Sequence, residues 1–202
     1  MTEKHELRKL LLAARNAMSP QERAWRDAAI GKCLLAWLDD HPASSIGIYW
    51  PTQGEPDLTD IYPVLAGRGI QLALPVVDKR HAPLLFYPWR PGDALAAEAH
   101  GVMVPIERRD PVKPELLLLP CVGFNAERYR LGYGGGYYDR TLALEKPPRT
   151  VGIAYAMCEA AFAVGGHDVA MDVVITECCF TNINPVAMER YSTPLQFITQ
   201  SV

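Results

Sequence analysis

The segment Glu115-Leu116-Leu117-Leu118-Leu119-Pro120 decides the fold. Four consecutive leucines leave neither face of an extended segment polar, and the proline ends the run. A strand that is apolar on both faces is typical of the middle of a parallel sheet that is covered on both sides. The sequence therefore predicts a buried central strand at 115–119.

Shorter apolar segments on either side of this strand predict the rest of the sheet. Between them, residues 58–65 have the pattern of a helix that ends at Gly67. Because strands alternate with helices, we expect one three-layer α/β domain over residues 1–202, with a mostly parallel central sheet and helices on both faces. The predicted strands are 46–50, 71–77, 84–87, 150–155, 173–176 and an edge strand at 180–183.

The first 42 residues predict two helices that pack on this sheet. In the first helix an apolar face is formed by Leu7, Leu10, Leu11 and Ala14. Ser19 is predicted to cap the second helix, with Pro20 at its first position and Glu22 completing a capping box. At the other end of the chain, residues 186–202 are predicted to form a loose tail.

Composition narrows the class of protein. The chain has 202 residues, of which 49% are hydrophobic and 21% charged, with a formal net charge of −3. These values are ordinary for a globular domain, and they do not favour binding to nucleic acid or to an anionic membrane. No apolar run approaches the ~20 residues that cross a bilayer, and the N-terminus lacks the pattern of a signal peptide. We expect a cytoplasmic protein that is a monomer.

The cysteines support the same expectation about location. They are odd in number and form no C-x-x-C pair, so neither a disulfide framework nor a zinc site is expected. They are Cys33, Cys121, Cys158, Cys178 and Cys179.

A glycine-rich segment follows the central strand and carries the chemistry. It runs from Arg130 to Arg140 with the sequence R-L-G-Y-G-G-G-Y-Y-D-R, and a helical pattern begins near Tyr137. Glycine lets successive backbone N–H groups turn toward one anion, and the start of a helix adds further N–H groups. The two arginines add positive charge, and Asp139 suits a magnesium ligand. A tight surface turn is the alternative, but the charged residues favour a nucleoside triphosphate site.

Two familiar phosphate-binding patterns fail on spacing. The dinucleotide pattern G-x-G-x-x-G, begun at Gly132 or at Gly134, requires a glycine where Tyr137 or Asp139 stands. The P-loop pattern requires a lysine followed by serine or threonine, and the segment has no lysine.

The run from Pro120 to Arg140 resembles the signature of the 5-formyltetrahydrofolate cyclo-ligases, also called methenyltetrahydrofolate synthetases. The resemblance extends over nearly the whole chain, because three further segments match the family. They are K-x-x-x-R at Lys4 and Arg8, E-x-D at Glu55, and H-D-x-x-x-D at 167–172. The fold that the resemblance implies is similar to that of sugar isomerases and CoA transferases.

The resemblance implies a role for each matched residue. Arg130 and Tyr137 are expected to be catalytic, and Asp139 and Asp168 to bind magnesium, with Asp172 a weaker metal candidate. Residues expected to bind ATP are Lys4, Arg8, Arg130, Leu131, Gly132, Tyr133, Gly134, Gly135, Gly136, Tyr137 and Tyr138. Residues expected to contact the folate are Trp50, Glu55, Tyr133, Gly134, Gly135, Gly136 and Tyr137. No general base is assigned, and His167 is expected to be structural or solvated.

The expected reaction is the closure of 5-formyltetrahydrofolate to 5,10-methenyltetrahydrofolate, with ATP as co-substrate and Mg²⁺ as cofactor. Its products are ADP and phosphate, and its intermediate is a phosphorylated formyl group. Three alternatives stay open at this point. They are a non-catalytic nucleotide-binding module on the same fold, a sugar-phosphate isomerase or CoA-transferase relative, and, least favoured, an RNA-binding protein.

Overall fold

A computed structural model of the chain describes residues 3–98, 101–144, 146–166 and 168–181. The helices are α1 (Glu3–Asn16), α2 (Pro20–Asp40), α3 (Tyr62–Gly67) and α4 (Tyr137–Leu142). The strands are β1 (Ser45–Gly47), β2 (Gln71–Val76), β3 (Leu85–Pro88), β4 (Leu95–Ala97), β5 (Met103–Pro105), β6 (Leu116–Pro120), β7 (Gly123–Phe124), β8 (Arg130–Leu131), β9 (Arg149–Ile153), β10 (Val173–Thr176) and β11 (Cys179–Thr181). No helix in these ranges is both long and apolar enough to cross a membrane.

Seven strands form the main sheet, in the order β11-β10-β9-β6-β1-β2-β3. The five inner strands are parallel to one another, and the two edge strands β3 and β11 are antiparallel to their neighbours. The predicted mostly parallel α/β fold is therefore confirmed. Strand β6 lies in the middle, and Leu116, Leu117, Leu118 and Leu119 are all 0% exposed.

The alternating leucines of β6 divide the core into two layers. Leu116 and Leu118 pack with Ile30 and Leu34 of α2 and with α3. On the other face, Leu117 and Leu119 pack against α4 and the loops around it. Because burying one leucine stabilises a fold by about 1.5–3 kcal/mol, β6 contributes to both layers and fixes the sheet between them.

Helix α2 begins where its sequence predicts, although the carboxylate of Glu22 accepts hydrogen bonds from Arg26 instead of completing the predicted capping box. Its first helical residue is Pro20, and Ser19 Oγ accepts a hydrogen bond from the Glu22 backbone N–H at 3.1 Å. This bond satisfies one of the N–H groups that a helix leaves free at its start. The helix then packs on the sheet through its apolar side.

Helix α1 packs elsewhere. Leu11 contacts Leu131 of β8 and Val122, the residue before β7, in the short β7–β8 ribbon beyond the end of β6. The predicted apolar face is partly wrong, because Leu10 is 67% exposed and Ala14 is also exposed. The buried face includes charged side chains instead, and periodicity of apolar residues alone does not find such a face.

The short strand pairs escaped prediction. Strands β4 and β5 pair with each other, as do β7 and β8, and each has only two or three residues. Runs this short carry no usable alternation pattern. The predicted edge strand is confirmed as β11, although it begins one residue earlier. The predicted tail at 186–202 lies outside the described residues.

Two cysteines are paired, contrary to expectation. Cys33 of α2 and Cys179 of β11 form a disulfide, with their Cα atoms 5.2 Å apart. They are 146 residues apart in sequence, and only the packing of α2 on the sheet edge brings them together. Cys121 and Cys158 are buried thiols, and Cys178 is exposed.

Candidate active site

The candidate site lies at the carboxyl ends of the parallel strands. Strands β1, β6 and β9 all end at the same edge of the sheet, so the loops that follow them meet there. In open α/β sheets this edge is where ligands bind. The loop after β1 contains Trp50 and Glu55, and the chain after β6 contains the glycine-rich segment.

The glycine-rich loop has a backbone that requires glycine at two places. Gly134 has φ +94° and Gly136 has φ +65°, both in the left-handed region that side chains disfavour. Gly136 is also the residue from which α4 begins. The loop thus turns sharply out of β8 and delivers the chain into α4 within five residues.

Two arginines hold this loop by its carbonyl groups. Arg8 of α1 donates from Nε to the Gly132 carbonyl at 2.7 Å, and Arg140 of α4 donates to the Gly135 carbonyl at 2.6 Å. The guanidinium of Arg140 also lies 5.2 Å from the ring centroid of Tyr137.

Two ion pairs lie beside the loop. Arg130 donates to Asp139 Oδ1 at 3.0 Å, and Lys4 contacts Asp168 Oδ2 at 2.8 Å. Partial burial opposes ionisation of Asp168, but the hydrogen bonds from Lys4 and from the Gly165 N–H outweigh it and lower the pKa of that carboxyl. The charge of Arg130 acts in the same direction on Asp168. Both carboxylates therefore belong to one charged cluster around Arg130.

This cluster could hold a hard cation only if ligands from outside the protein complete its coordination. Among the described residues, no group of three or more histidine, cysteine, aspartate or glutamate side chains is placed to hold a metal ion. Magnesium is commonly bound by one or two carboxylates, with phosphate oxygens and waters completing the coordination. Asp139 and Asp168, the two residues expected to bind magnesium, are the carboxylates of this cluster.

Asp172, the weaker metal candidate, lies at the opposite end of the sheet. Its carboxylate accepts hydrogen bonds from the Thr150 N–H at 2.7 Å and from the Thr150 hydroxyl at 3.0 Å. Thr150 is the second residue of β9 and Asp172 precedes β10, so these bonds join the amino ends of two strands. The structure thus gives Asp172 a structural role, away from Asp139 and Asp168. His167 lies outside the described residues.

Glu55 is buried in the loop after β1. It is 5% exposed, and its Oε2 accepts a hydrogen bond from the Thr52 N–H at 2.7 Å. Burial raises the pKa of Glu55, although the Thr52 N–H, the Tyr133 hydroxyl and the charge of Arg15 oppose the rise. Glu55 is therefore a fixed acceptor beside the glycine-rich loop.

The aromatic residues of the site fall into two groups. Trp50 is half-buried and meets Trp89 edge-on, with ring centroids 5.8 Å apart. Tyr137 and Tyr138 both pack against the core layer under α4. The guanidinium of Arg130 lies 5.1 Å from the ring centroid of Tyr138, and burial raises the pKa of the Tyr138 hydroxyl. Both tyrosines of the pair therefore contact the core.

Sequence reasoning missed Arg15. This residue of α1 is only 1% exposed, and its guanidinium donates to the Tyr133 hydroxyl at 2.7 Å. A signal was present, because Lys4, Arg8 and Arg15 recur at helical spacing and lie on one face of α1. The basic stripe on α1 is therefore longer than the matched pair Lys4 and Arg8.

Comparison with known proteins decides the family. The 5-formyltetrahydrofolate cyclo-ligase family matches residues 1–177 of the chain. The chain belongs to this family. The predicted family resemblance is thereby confirmed, and the chain is an enzyme of the cyclo-ligase class rather than a binding module.

Relatives of the cyclo-ligase family resemble the chain along most of its length. The 5-formyltetrahydrofolate cyclo-ligase of Mycoplasma pneumoniae is 29% identical over 180 residues, which covers 87% of this chain and 99% of that protein. The cyclo-ligase of Escherichia coli is 26% identical over 170 residues, covering 80% of this chain and 93% of that protein.

Solved structures agree with this membership. The 5,10-methenyltetrahydrofolate synthetase of Mycoplasma pneumoniae has a TM-score of 0.73 at 29% sequence identity, covering 87% of this chain and 99% of that one. The 5,10-methenyltetrahydrofolate synthetase of Aquifex aeolicus has a TM-score of 0.71 at 32% identity, covering 87% of this chain and 90% of that one. The fold of this cyclo-ligase is therefore that of the synthetases.

The structure brings most residues predicted for this cyclo-ligase into one connected set. Hydrogen bonds and ion pairs link α1 to the glycine-rich loop, the loop to α4, and α1 to the loop after β1. Trp50 is set apart from these polar links, in an aromatic contact with Trp89.

Proposed function

We propose that the protein converts 5-formyltetrahydrofolate to 5,10-methenyltetrahydrofolate with Mg-ATP, releasing ADP and phosphate. The observation that carries the proposal is the charged cluster at the carboxyl edge of the sheet. In it, Arg130 pairs with Asp139 and Lys4 pairs with Asp168 beside a glycine-rich loop. Membership of the cyclo-ligase family supplies the substrate, and the cluster supplies the charge that a triphosphate requires.

The ATP site proposed here uses the backbone as well as side chains. The N–H groups of residues 131–138 face the phosphates, while Arg8 keeps the Gly132 carbonyl turned away from them. Arg130 and Lys4 each hold a carboxylate in the ligand-free protein, and each is proposed to exchange it for phosphate oxygens. Such charge-assisted contacts are about twice as strong as neutral hydrogen bonds.

Asp139 and Asp168 are the residues proposed to hold Mg²⁺. When the two cations turn to phosphate, these carboxylates lose their partners and are free to bind a divalent ion. The ion would neutralise charge on the phosphate oxygens during transfer. The exchange leaves every charge in the cluster paired, which keeps the cost of burying it low.

The proposed chemistry proceeds in two steps. First, the formyl oxygen of the folate attacks the γ-phosphorus of ATP, the bond from that phosphorus to the bridging oxygen breaks, and ADP leaves. Then N10 attacks the activated formyl carbon, the carbon–oxygen bond breaks, and phosphate leaves while N10 loses its proton. Both steps depend mainly on alignment and charge neutralisation, which fits a site without a nucleophilic serine or cysteine.

Arg130 and Tyr137 are the residues assigned to the reacting groups. The Arg130 side chain is 7% exposed, so its charge acts in a partly dry environment, where it stabilises the transferring phosphoryl group more than it would in water. Tyr137 stands where the loop enters α4, with Arg140 over its ring. It is proposed to border both the phosphate and the folate.

The folate is proposed to lie between the loop after β1 and the glycine-rich loop. Glu55 is a fixed carboxylate, and a carboxylate can accept two hydrogen bonds from an amino-pyrimidine edge such as that of the pterin. Trp50 would supply an apolar wall. Tyr133 and Gly134 to Gly136 border the folate from the side of the nucleotide.

A direct assay tests the proposal. The protein is mixed with 5-formyltetrahydrofolate, ATP and Mg²⁺, and the methenyl chromophore is followed in the near ultraviolet. We expect the chromophore to appear only when ATP is present, with one ADP formed per methenyl group. ATP hydrolysis without folate conversion would favour a different ATP-dependent activity, and conversion without ATP would overturn the mechanism. A cytoplasmic location and a monomeric state stay predictions from the sequence.

A further inference from the structure

One buried arginine joins three segments of the site. Arg15 donates to the Cys121 carbonyl at 3.2 Å, to the Gln53 carbonyl at 2.9 Å and to the Tyr133 hydroxyl at 2.7 Å. Cys121 follows β6, Gln53 lies in the loop after β1, and Tyr133 lies in the glycine-rich loop. A single guanidinium thus contacts both walls between which the substrates are proposed to bind.

The segment that Arg15 holds has an unusual backbone. Gln53 has φ +48° and Gly54 has φ +73°, so two consecutive residues adopt the left-handed conformation. Such a turn persists only when its surroundings fix it. Arg23 completes the restraint, because it donates to the Gly54 carbonyl at 2.7 Å and to the Arg15 carbonyl at 2.8 Å. The residue that emerges from this turn is Glu55.

Stability by itself does not explain an arginine at position 15. A fully buried guanidinium loses its hydration, and Arg15 Nε has no hydrogen-bond partner among the described residues. An apolar side chain of similar length would fill the same space without that cost. The five donors of arginine in a fixed fork are needed only if several acceptors must be held together.

Tyr133 is placed to link the glycine-rich loop to the loop after β1. It stands between Gly132 and Gly134, and it is 39% exposed although its hydroxyl is bonded to Arg15. Through Arg15 the same hydroxyl is connected to the Gln53 carbonyl, two residues before Glu55. Movement of the glycine-rich loop around a nucleotide therefore shifts an acceptor of Arg15, which also holds the loop on the folate side.

We propose that Arg15 is a positioning residue that couples nucleotide binding to folate binding. It ties the Gln53–Glu55 segment to Tyr133, so a ligand that orders one loop also orders the other. This inference rests on the proposed function, because it assumes that the two loops bind the two substrates. Coupling of this kind is reciprocal, so each ligand must tighten the binding of the other by the same factor.

The test measures that factor. Binding of a non-hydrolysable ATP analogue with Mg²⁺ is followed by calorimetry, without and with saturating 5-formyltetrahydrofolate. For the natural protein we expect the folate to tighten analogue binding by about 10-fold, within the usual range for coupled sites. In Arg15→Met and in Tyr133→Phe the factor should fall to about twofold or less. The double variant should lose no more than either single variant, because both remove the same link.

Two further variants separate coupling from folding. Arg15→Lys keeps the charge but lacks the fork that reaches three acceptors, so we expect it not to restore the coupling factor. Lys9→Met removes a basic residue from the exposed face of the same helix, where Lys9 pairs with Glu6 at 3.4 Å. It should leave the coupling factor unchanged. If Arg15→Met fails to fold, Tyr133→Phe decides, because it removes only one hydroxyl.

The outcomes distinguish the two proposals. A natural protein that forms the methenyl product but shows no coupling would overturn the role of Arg15 and leave the proposed function standing. Full coupling in Tyr133→Phe and in folded Arg15→Met, with both affinities merely reduced, would do the same. Absence of the methenyl product with the natural protein would overturn the proposed function instead.

Discussion

Replacing Arg130 with methionine should abolish most of the turnover while leaving the protein folded. The substitution keeps an unbranched chain of similar length and removes the charge. In the ligand-free structure Arg130 bonds Asp139 at 3.0 Å and lies 5.1 Å from the ring centroid of Tyr138. The proposed transition state adds contacts from Arg130 to the transferring phosphoryl group.

The two effects differ in size. Loss of one preorganised donor to developing charge costs about 2.7–4 kcal/mol, which lowers kcat by about 100- to 1000-fold. Loss of the ion pair lowers the free energy of unfolding by about 1.5–3 kcal/mol at most, because Asp139 is 29% exposed and regains water. Domains of this size are stable by about 5–15 kcal/mol. The Arg130→Met variant should therefore remain folded at 25 °C and lose activity through chemistry.

The assay follows the methenyl chromophore and yields kcat and KM for ATP, while thermal denaturation gives the midpoint Tm. Arg149→Met is the matched control. Its guanidinium bonds the Pro42 carbonyl at 2.6 Å near the amino end of β9, away from the site. We expect that variant to retain its kcat. A folded Arg130→Met protein whose kcat stays within about threefold of the natural value would refute the role of Arg130, since threefold is less than 1 kcal/mol.

Three further predictions concern the metal, the loop and the buried acid. Asp139→Asn and Asp168→Asn should each raise the Mg²⁺ concentration for half-maximal turnover by about tenfold or more. The control Asp172→Asn should lower Tm and leave that concentration unchanged. The same dependence of turnover on Mg²⁺ in all three variants would contradict the assignment. Gly136→Ala places a side chain at φ +65° with its Cβ 3.0 Å from Arg140. We expect it to lower the free energy of unfolding, measured by thermal denaturation, by about 1–2 kcal/mol. The control Gly67→Ala, where the space is open, should leave the free energy of unfolding unchanged. Because burial raises the pKa of Glu55, the stability contributed by its protonated form is present at acidic pH and is lost as the pH rises through the folded-state pKa. The Tm of Glu55→Gln minus the Tm of the natural protein should therefore be larger at pH 7 than at pH 4. An equal Tm difference at both pH values would argue against a raised pKa.

Much of the fold was predictable from local patterns. Four leucines before Pro120 predicted the central strand, and Ser19, Pro20 and Glu22 predicted the start of α2. These predictions succeeded because burial on both faces and helix capping are each expressed within a few neighbouring residues. The two-residue strands β7 and β8 were missed because they form only when the chain after β6 folds back on itself.

The candidate site was predictable only where one segment contained the whole signal. The spacing of glycines and charged residues from Arg130 to Arg140 predicted a phosphate loop, and the resemblance to the cyclo-ligases extended the prediction to distant residues. Arg15 was missed because a search for a buried helix face counts apolar residues, and the buried face of α1 also contains charged ones. The pairing of Cys33 with Cys179 was missed because nothing local in sequence records it.

The sequence by itself determined the strands of the main sheet and the two N-terminal helices, and it determined that a glycine-rich loop follows the central strand. Those properties depend on side chains a few residues apart, so they can be recognised without a structure. Only the tertiary structure decided which charges meet. Lys4 and Asp168 are 164 residues apart, and their contact exists because the packing of α1 against the β7–β8 ribbon brings the first turn of the chain to the carboxyl edge of the sheet.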